Sequence, residues 1–500
     1  MTRQPPPVSS KPRPLLRGDQ ISADYRIPEL TGWRDNPMIA ALPPVRSPQQ
    51  VEEMLRRFPP ISEDDAHQPD YVRIHAVRSV QRMFQPLNRH LELEQKITGA
   101  LRDGYIGRNP LDLDYWSNVD RRLSLLEQAD GSWREFDLAA TTGLALVGIS
   151  GVGKSTTLAR ILLRSPQVIV HTSWRGTALP ISQLVWLKID CPWNRAARGW
   201  CIAFFEAVDA VLGTDYRNSY KYRARKTHDP SADDMLPEVI RVAAAHCLGL
   251  LVIDEIQNLR PGDDLVRFFV QLNNTLGVPL LKVGTYKARR VLAGAFHEAR
   301  RNSGQGDLEW DPLEQESPEW RALLGAVWQY YYLPEPIAID GPVAHKLYEL
   351  MRGIPDFTVK LWALAQARAI LNGEPCITTE ALEQVFKDSF RLARPALEAL
   401  RYGRAHRGKI FDELGDIDLV DIEPALEAAA KELAKHAVLA PAPTPRASEA
   451  PSPANRRKSR KVTKRRPRLA AEDLRALPDH AAISGVGLTE DFAEESVGAS

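Results

Sequence analysis

The stretch GISGVGKST, Gly148–Thr156, restricts the fold more than any other part of the chain. It follows the apolar run LALV and leads into TTLARILL, so it reads as a corner between a buried strand and a helix. Gly148 and Gly153 enclose four residues before Lys154 and Ser155, the spacing of a phosphate-binding loop. Glycines at 148, 151 and 153, with Ser150 and Val152 between them, let backbone N–H groups turn toward a phosphate at the positive end of the following helix. Lys154 is placed to reach the β- and γ-phosphates. Ser155, followed by Thr156, offers a hydroxyl to the shell of a magnesium ion.

A strand–loop–helix of this kind implies an α/β protein with a parallel sheet. Further short apolar runs, QLVWLKID, GLLVIDE and VPLLKVGT, alternate with stretches long enough for crossover helices. These place the nucleotide-binding core at 111–336. Before it, a flexible lead of residues 1–24 passes into a mixed, mainly helical segment at 25–110, where Val72, Ile74, Val77, Val80, Met83, Phe84, Leu87 and Leu91 recur near helical spacing. After it, PVAHKLYELMRG, FTVKLWALAQARAILNG and CITTEALEQVFKDSF predict a small all-helical lid at 337–400, with Thr378 or Thr379 capping its last helix. A helical extension at 401–438 and a Pro- and Ala-rich, disordered tail at 439–500 complete the chain.

The net charge of +1 hides a cluster of nine basic residues between Arg456 and Arg468. No apolar run is long enough to cross a bilayer and no apolar leader is present, so the expected location is the cytoplasm, without a membrane partner. The four cysteines lack metal-ligand spacing and read as reduced core thiols.

Three other segments carry chemistry. LLVIDE, Leu250–Glu255, is an apolar strand ending in two carboxylates, about a hundred residues beyond the phosphate loop. Asp254 at the strand end orients magnesium through water, and Glu255 polarises the attacking water, an arrangement that favours hydrolysis over transfer. VGTYKARR ends another strand, where Thr285 either senses the γ-phosphate or belongs to a plain turn. HEARRNSGQG, His297–Gly306, carries Arg300 and Arg301. These either serve a neighbouring subunit's nucleotide in trans or complement a helix C-terminus.

Together these features resemble an AAA+ ATPase of the initiator or clamp-loader branch. More narrowly, NPMIAALPP (Asn36–Pro44), DEIQNL (Asp254–Leu259), ARRNSGQG (Ala299–Gly306) and GIPDFTVKLWALAQ (Gly353–Gln366) resemble TnsC and its shorter relative TniB, regulatory ATPases of heteromeric bacterial transposons. The resemblance covers about residues 25–400. It implies ATP with Mg2+ as ligands, Thr285 as first sensor, and Arg300 or Arg301 as arginine finger. Lys360 is the only cation near the position where many AAA+ lids place an arginine. It further implies a homo-oligomeric ring or filament on duplex DNA that links a target-selection protein, contacted by the N-terminal segment, to transposase subunits contacted by the tail.

The residues supply a counterpart to the DNA expectation. Tyr216–His228 holds Arg217, Lys221, Arg223, Arg225 and Lys226 among tyrosines, which suits sequence-independent contact with a phosphate backbone or a solvated loop. The basic tail fits either added DNA affinity or a docking peptide. Two other functions compete with transposition control: a replication-initiator or loader-type ATPase, and a signalling NTPase switch that binds only proteins. The absence of a winged-helix signature after the lid weakens the first, and the basic core segment weakens the second.

Overall fold

The computed structural model describes residues 15–128, 143–219, 232–260, 263, 265–266, 268–269, 272, 277–295, 306–400 and 423–439. Ten strands occur among them: β1 (Gln20–Ser22), β2 (Gly143–Gly148), β3 (Val168–Val170), β4 (Ser173–Trp174), β5 (Thr177–Ala178), β6 (Ser182–Leu184), β7 (Trp186–Asp190), β8 (Leu250–Asp254), β9 (Leu280–Gly284) and β10 (Asp307–Trp310). Five form the central sheet in the order β10-β2-β9-β8-β7, with every neighbour parallel. β2, β8 and β9 are buried along their whole length, which is why they read as unbroken apolar runs.

Helices cover both faces, and alternate residues of one strand serve opposite layers. Leu250 and Val252 of β8 join the layer containing Leu158, Ile161 and the lid, while Leu251 and Ile253 join the layer built by helices Ala197–Leu212 and Ala232–Ala245. The phosphate-loop helix is Lys154–Leu162. The helices that follow β10 are Pro318–Trp328, Pro342–Met351, Pro355–Asn372, Thr379–Ser389 and Arg394–Ala399. Of the two candidate caps, Thr378 is the one used, its hydroxyl accepting from Ala381 N–H at 3.1 Å. A further helix, Glu423–Leu439, buries Leu426 and Ala429.

Two expectations change here. The end of the expected flexible lead is structured: Gln20–Ser22 form β1, which pairs in parallel with β3 in a second, three-stranded sheet. QLVWLKID, read as a single strand, divides at Val185. Ser182–Leu184 pair antiparallel with β3, whereas Trp186–Asp190 enter the central sheet. At the division the chain bonds to both sides, with Val185 N–H donating to Gln167 O beside β3 and Leu250 N–H donating to Val185 O. An apolar run specifies burial but does not specify which sheet supplies the partners. The tail and its basic cluster lie outside the described residues.

The N-terminal segment is bound to the core and to the first helix after β10. In helix Asn88–Ile106, Tyr105 donates its hydroxyl to Cys247 O at 2.8 Å, and Arg89 clasps Glu319 through Nε at 3.1 Å and Nη2 at 2.9 Å. His90 lies between Phe84 and Trp310, with Nδ1 accepting Leu87 N–H at 3.1 Å. Burial, aided by Arg89, pushes its pKa down to about 3. The unfolded chain takes up this proton near pH 6.5 and the folded chain does so only near 3, so His90 removes stability as pH falls through that window. The expected loss is about 1.4 kcal/mol per pH unit. Urea unfolding between pH 7 and 4 should show this slope, and His90→Gln should flatten it.

Candidate active site

The phosphate loop follows directly from the end of β2. Gly151 (φ 84°) and Gly153 (φ 95°) adopt the left-handed backbone that L side chains avoid. Ile149 and Val152 are buried and pin the loop between them. The helix at Lys154 begins at Gly153 with no side-chain cap, leaving its first N–H groups for an anion. Ser155 and Thr156 are exposed there. Lys154 is buried and turns back on the loop, donating from Nζ to Gly148 O at 2.7 Å and Ile149 O at 2.9 Å.

Beside it, β9 and β8 deliver the remaining polar groups. Asp254 is 3% exposed, and its Oδ1 accepts the N–H of Glu255 at 2.9 Å. Its Oδ2 lies 3.0 Å from Lys188 Nζ and forms an ion pair with it. Lys188 also meets Asp190, the register partner of Asp254, at 2.5 Å. Burial by itself would lower the lysine's pKa, but the two carboxylates outweigh it and raise the value. Glu255 occupies the left-handed region (φ 60°) where β8 turns into the short 3-10 helix Ile256–Asn258, a conformation costing on the order of 1 kcal/mol outside glycine. Gln257 donates to Glu255 Oε2 and accepts the N–H of Thr285 at 3.0 Å. Thr285 Oγ1 is buried and has no hydrogen-bond partner among the described residues.

The lid closes one side. Asp356 N–H donates to Gly151 O at 3.1 Å, and a Cβ on Gly151 would come within 3.0 Å of Ile354 Cγ2 and 3.4 Å of Asp356 Cβ. Lys360 binds Asp356 Oδ2 at 2.7 Å. Burial raises the Asp356 pKa and Lys360 partly offsets the rise.

An uncapped helix start, two left-handed glycines, an exposed hydroxyl and an orphaned hydroxyl at the neighbouring strand end fit a bound triphosphate. The donor set also fits magnesium, which takes few protein ligands beside phosphates and waters. Residues 140–292 match the family model of an AAA domain. The chain carries an AAA-type ATPase domain. Solved structures with similarity include the Aeropyrum pernix ORC2 protein (ADPNP-ADP complexes), at 12% identity, TM-score 0.31, covering 65% of this chain and 94% of that one. The Aeropyrum pernix ORC1 protein in complex with DNA gives 15%, 0.33, 65% and 86%. The Thermotoga maritima RuvB Holliday junction branch migration motor gives 15%, 0.28, 64% and 91%. At these TM-scores none of the three bears on what the chain binds. No curated protein sequence matches it.

Within the AAA domain the structure brings together the phosphate loop, Asp254, Glu255 and Thr285 at one edge of the sheet. Lys360 lies at the loop's flank, held by Asp356. Arg300 and Arg301 lie outside the described residues, as do Lys221, Arg223, Arg225 and Lys226. Arg217 is described and forms an ion pair with Glu206 at 2.5 Å. Sequence reasoning missed Lys188, Asp190, Gln257 and Asp356. A signal existed for the first two: a Lys and an Asp two positions apart in an apolar strand share one face and need a charged partner beside it. Lys188→Met should therefore cost about 3 kcal/mol in denaturant unfolding, because buried Asp254 and half-buried Asp190 are left without their cation. Adding Asp254→Asn should recover most of that loss.

Proposed function

We propose that the protein is an ATP-switched regulator of DNA transposition of the TnsC and TniB type. It assembles on duplex target DNA while ATP-bound and links a target-selection protein to the transposase. The observation that carries this reading is the contact of Gly151 with Ile354 and Asp356. It lies within Gly353–Gln366, one of the segments with the more specific resemblance, and it sets the lid against the loop that takes the phosphates. A nucleotide entering the loop changes what Asp356 and Lys360 touch. The outer helices then respond to nucleotide state, as an assembly switch requires.

In this reading Lys154 binds the β- and γ-phosphates, and Ser155 ligates Mg2+, with Asp254 orienting it through water. Glu255 orients the attacking water and takes its proton. Thr285 meets the γ-phosphate through its unpaired hydroxyl. Arg300 or Arg301 completes the site of the adjacent subunit. Lys360 reaches a phosphate only by leaving Asp356. Arg217, Lys221, Arg223, Arg225 and Lys226 touch the DNA backbone, and the tail from Arg456 engages the transposase.

Electron microscopy with duplex DNA and a non-hydrolysable ATP analogue should show rings or filaments on the DNA, and protein that stays monomeric there would overturn the proposal. Lys154→Ala should abolish nucleotide-dependent DNA binding. Glu255→Gln should lower hydrolysis by about 10²-fold or more and keep the assemblies on DNA. Replacing Lys221, Arg223 and Arg225 by Ala should reduce the slope of log affinity against log salt by about 1 for each phosphate no longer neutralised. Deleting 456–500 should leave these properties intact and eliminate binding to a heteromeric-transposon transposase subunit that the full chain binds.

A further inference from the structure

Gln257 has none of the roles given above, yet its side chain links the water-polarising carboxylate directly to the strand end at Thr285. Its amide orientation is fixed: the N–H of Thr285 can only donate, so Oε1 faces Thr285 and the NH2 group faces Glu255. The turn that carries it is anchored on both flanks, by fully buried Ile256 and by Asn258 Nδ2 donating to Cys191 O at 3.0 Å. The last residue of β9 is cut to fit. A Cβ on Gly284 would lie 2.8 Å from Ala288 Cβ and 2.9 Å from Gln257 Oε1, so the amide would have to shift to admit it.

We propose that Gln257 is a positioning residue for ATP hydrolysis, fixing the carboxylate of Glu255 and tying it to Thr285. Glu255 leaves β8 in a left-handed conformation, so its backbone is set while its carboxylate still has rotatable bonds. The Gln257 amide removes that freedom on one side. The other half of the same amide grips the backbone of the residue whose hydroxyl is buried without a partner among the described residues. Movement of Thr285 on meeting a phosphate is thereby passed to Glu255 within one subunit, through two hydrogen bonds. The inference rests on the hydrolytic role given to Glu255 above and is independent of the transposition reading.

The test is single-turnover ATP hydrolysis by the full chain, with and without duplex DNA. Gln257→Ala should lower the rate at saturating ATP by at least about tenfold and leave ATP affinity within about twofold. On a Glu255→Gln background the same substitution should have no further effect, since it acts only through that carboxylate. Gln257→Glu supplies a readout that a purely structural role would not move. Protonated, the new side chain is an isostere of glutamine, donating to Glu255 and accepting from Thr285. Ionised, it repels Glu255. At neutral pH Gln257→Glu should therefore lose the hydrolysis rate as Gln257→Ala does, while ATP affinity stays within about twofold. Full activity of Gln257→Ala beside an inactive Glu255→Gln would remove the role of Gln257 alone. Full activity of Glu255→Gln would instead remove the role of Glu255 on which it depends. A rate loss for Gln257→Ala of equal size on both backgrounds would show that it acts elsewhere.

Discussion

Everything at the active site depends on the parallel order β2-β9-β8. Parallel neighbours require crossovers, so the loops after all three strands leave from the same edge of the sheet. Residues separated by over a hundred positions thereby become neighbours without any loop having to be long. The register is equally restrictive. Asp190 lies opposite Asp254, and a slip of one residue in β7 would turn Lys188 into the opposite hydrophobic layer.

Much of this was legible in the sequence, for identifiable reasons. The phosphate loop is contiguous, and its backbone requirements are met by glycine, so spacing alone exposed it. Asp254 and Glu255 stood out because they end an apolar run about a hundred residues beyond a phosphate loop; at a strand end alone they would fit a solvated turn equally well. Lys188 was hidden inside such a run, since an apolar pattern tolerates one charge and does not reveal the carboxylates two strands supply to it. Lys282 is a parallel case. It is 7% exposed on β9 with its pKa lowered by burial to about 8, in a run that reads as wholly apolar. The partition of QLVWLKID between two sheets was illegible because strand pairing is decided by partners distant in the chain. Gln257 was out of reach for another reason, since a glutamine in a turn acquires meaning only from what lies on each side of its amide.

The site also shows how buried charge is accommodated by the protein's own groups. Lys188 serves two carboxylates at once, and Lys360 serves Asp356 against the phosphate loop. A buried ion without a partner would cost several kcal/mol, so each of these cations stabilises the fold around the site. The same pairs stand where a magnesium ion and a triphosphate would redistribute charge. In the proposed function these groups are the ones whose pairing a bound nucleotide would disturb.

The turn of Lys154 onto Gly148 O and Ile149 O has a consequence for how the protein reads its surroundings. In the proposed role these bonds compete with phosphate for the lysine's donors, and each ~1.4 kcal/mol spent on replacing them weakens apparent affinity about tenfold. Under that proposal the loop's own carbonyls tune how tightly a nucleotide is held.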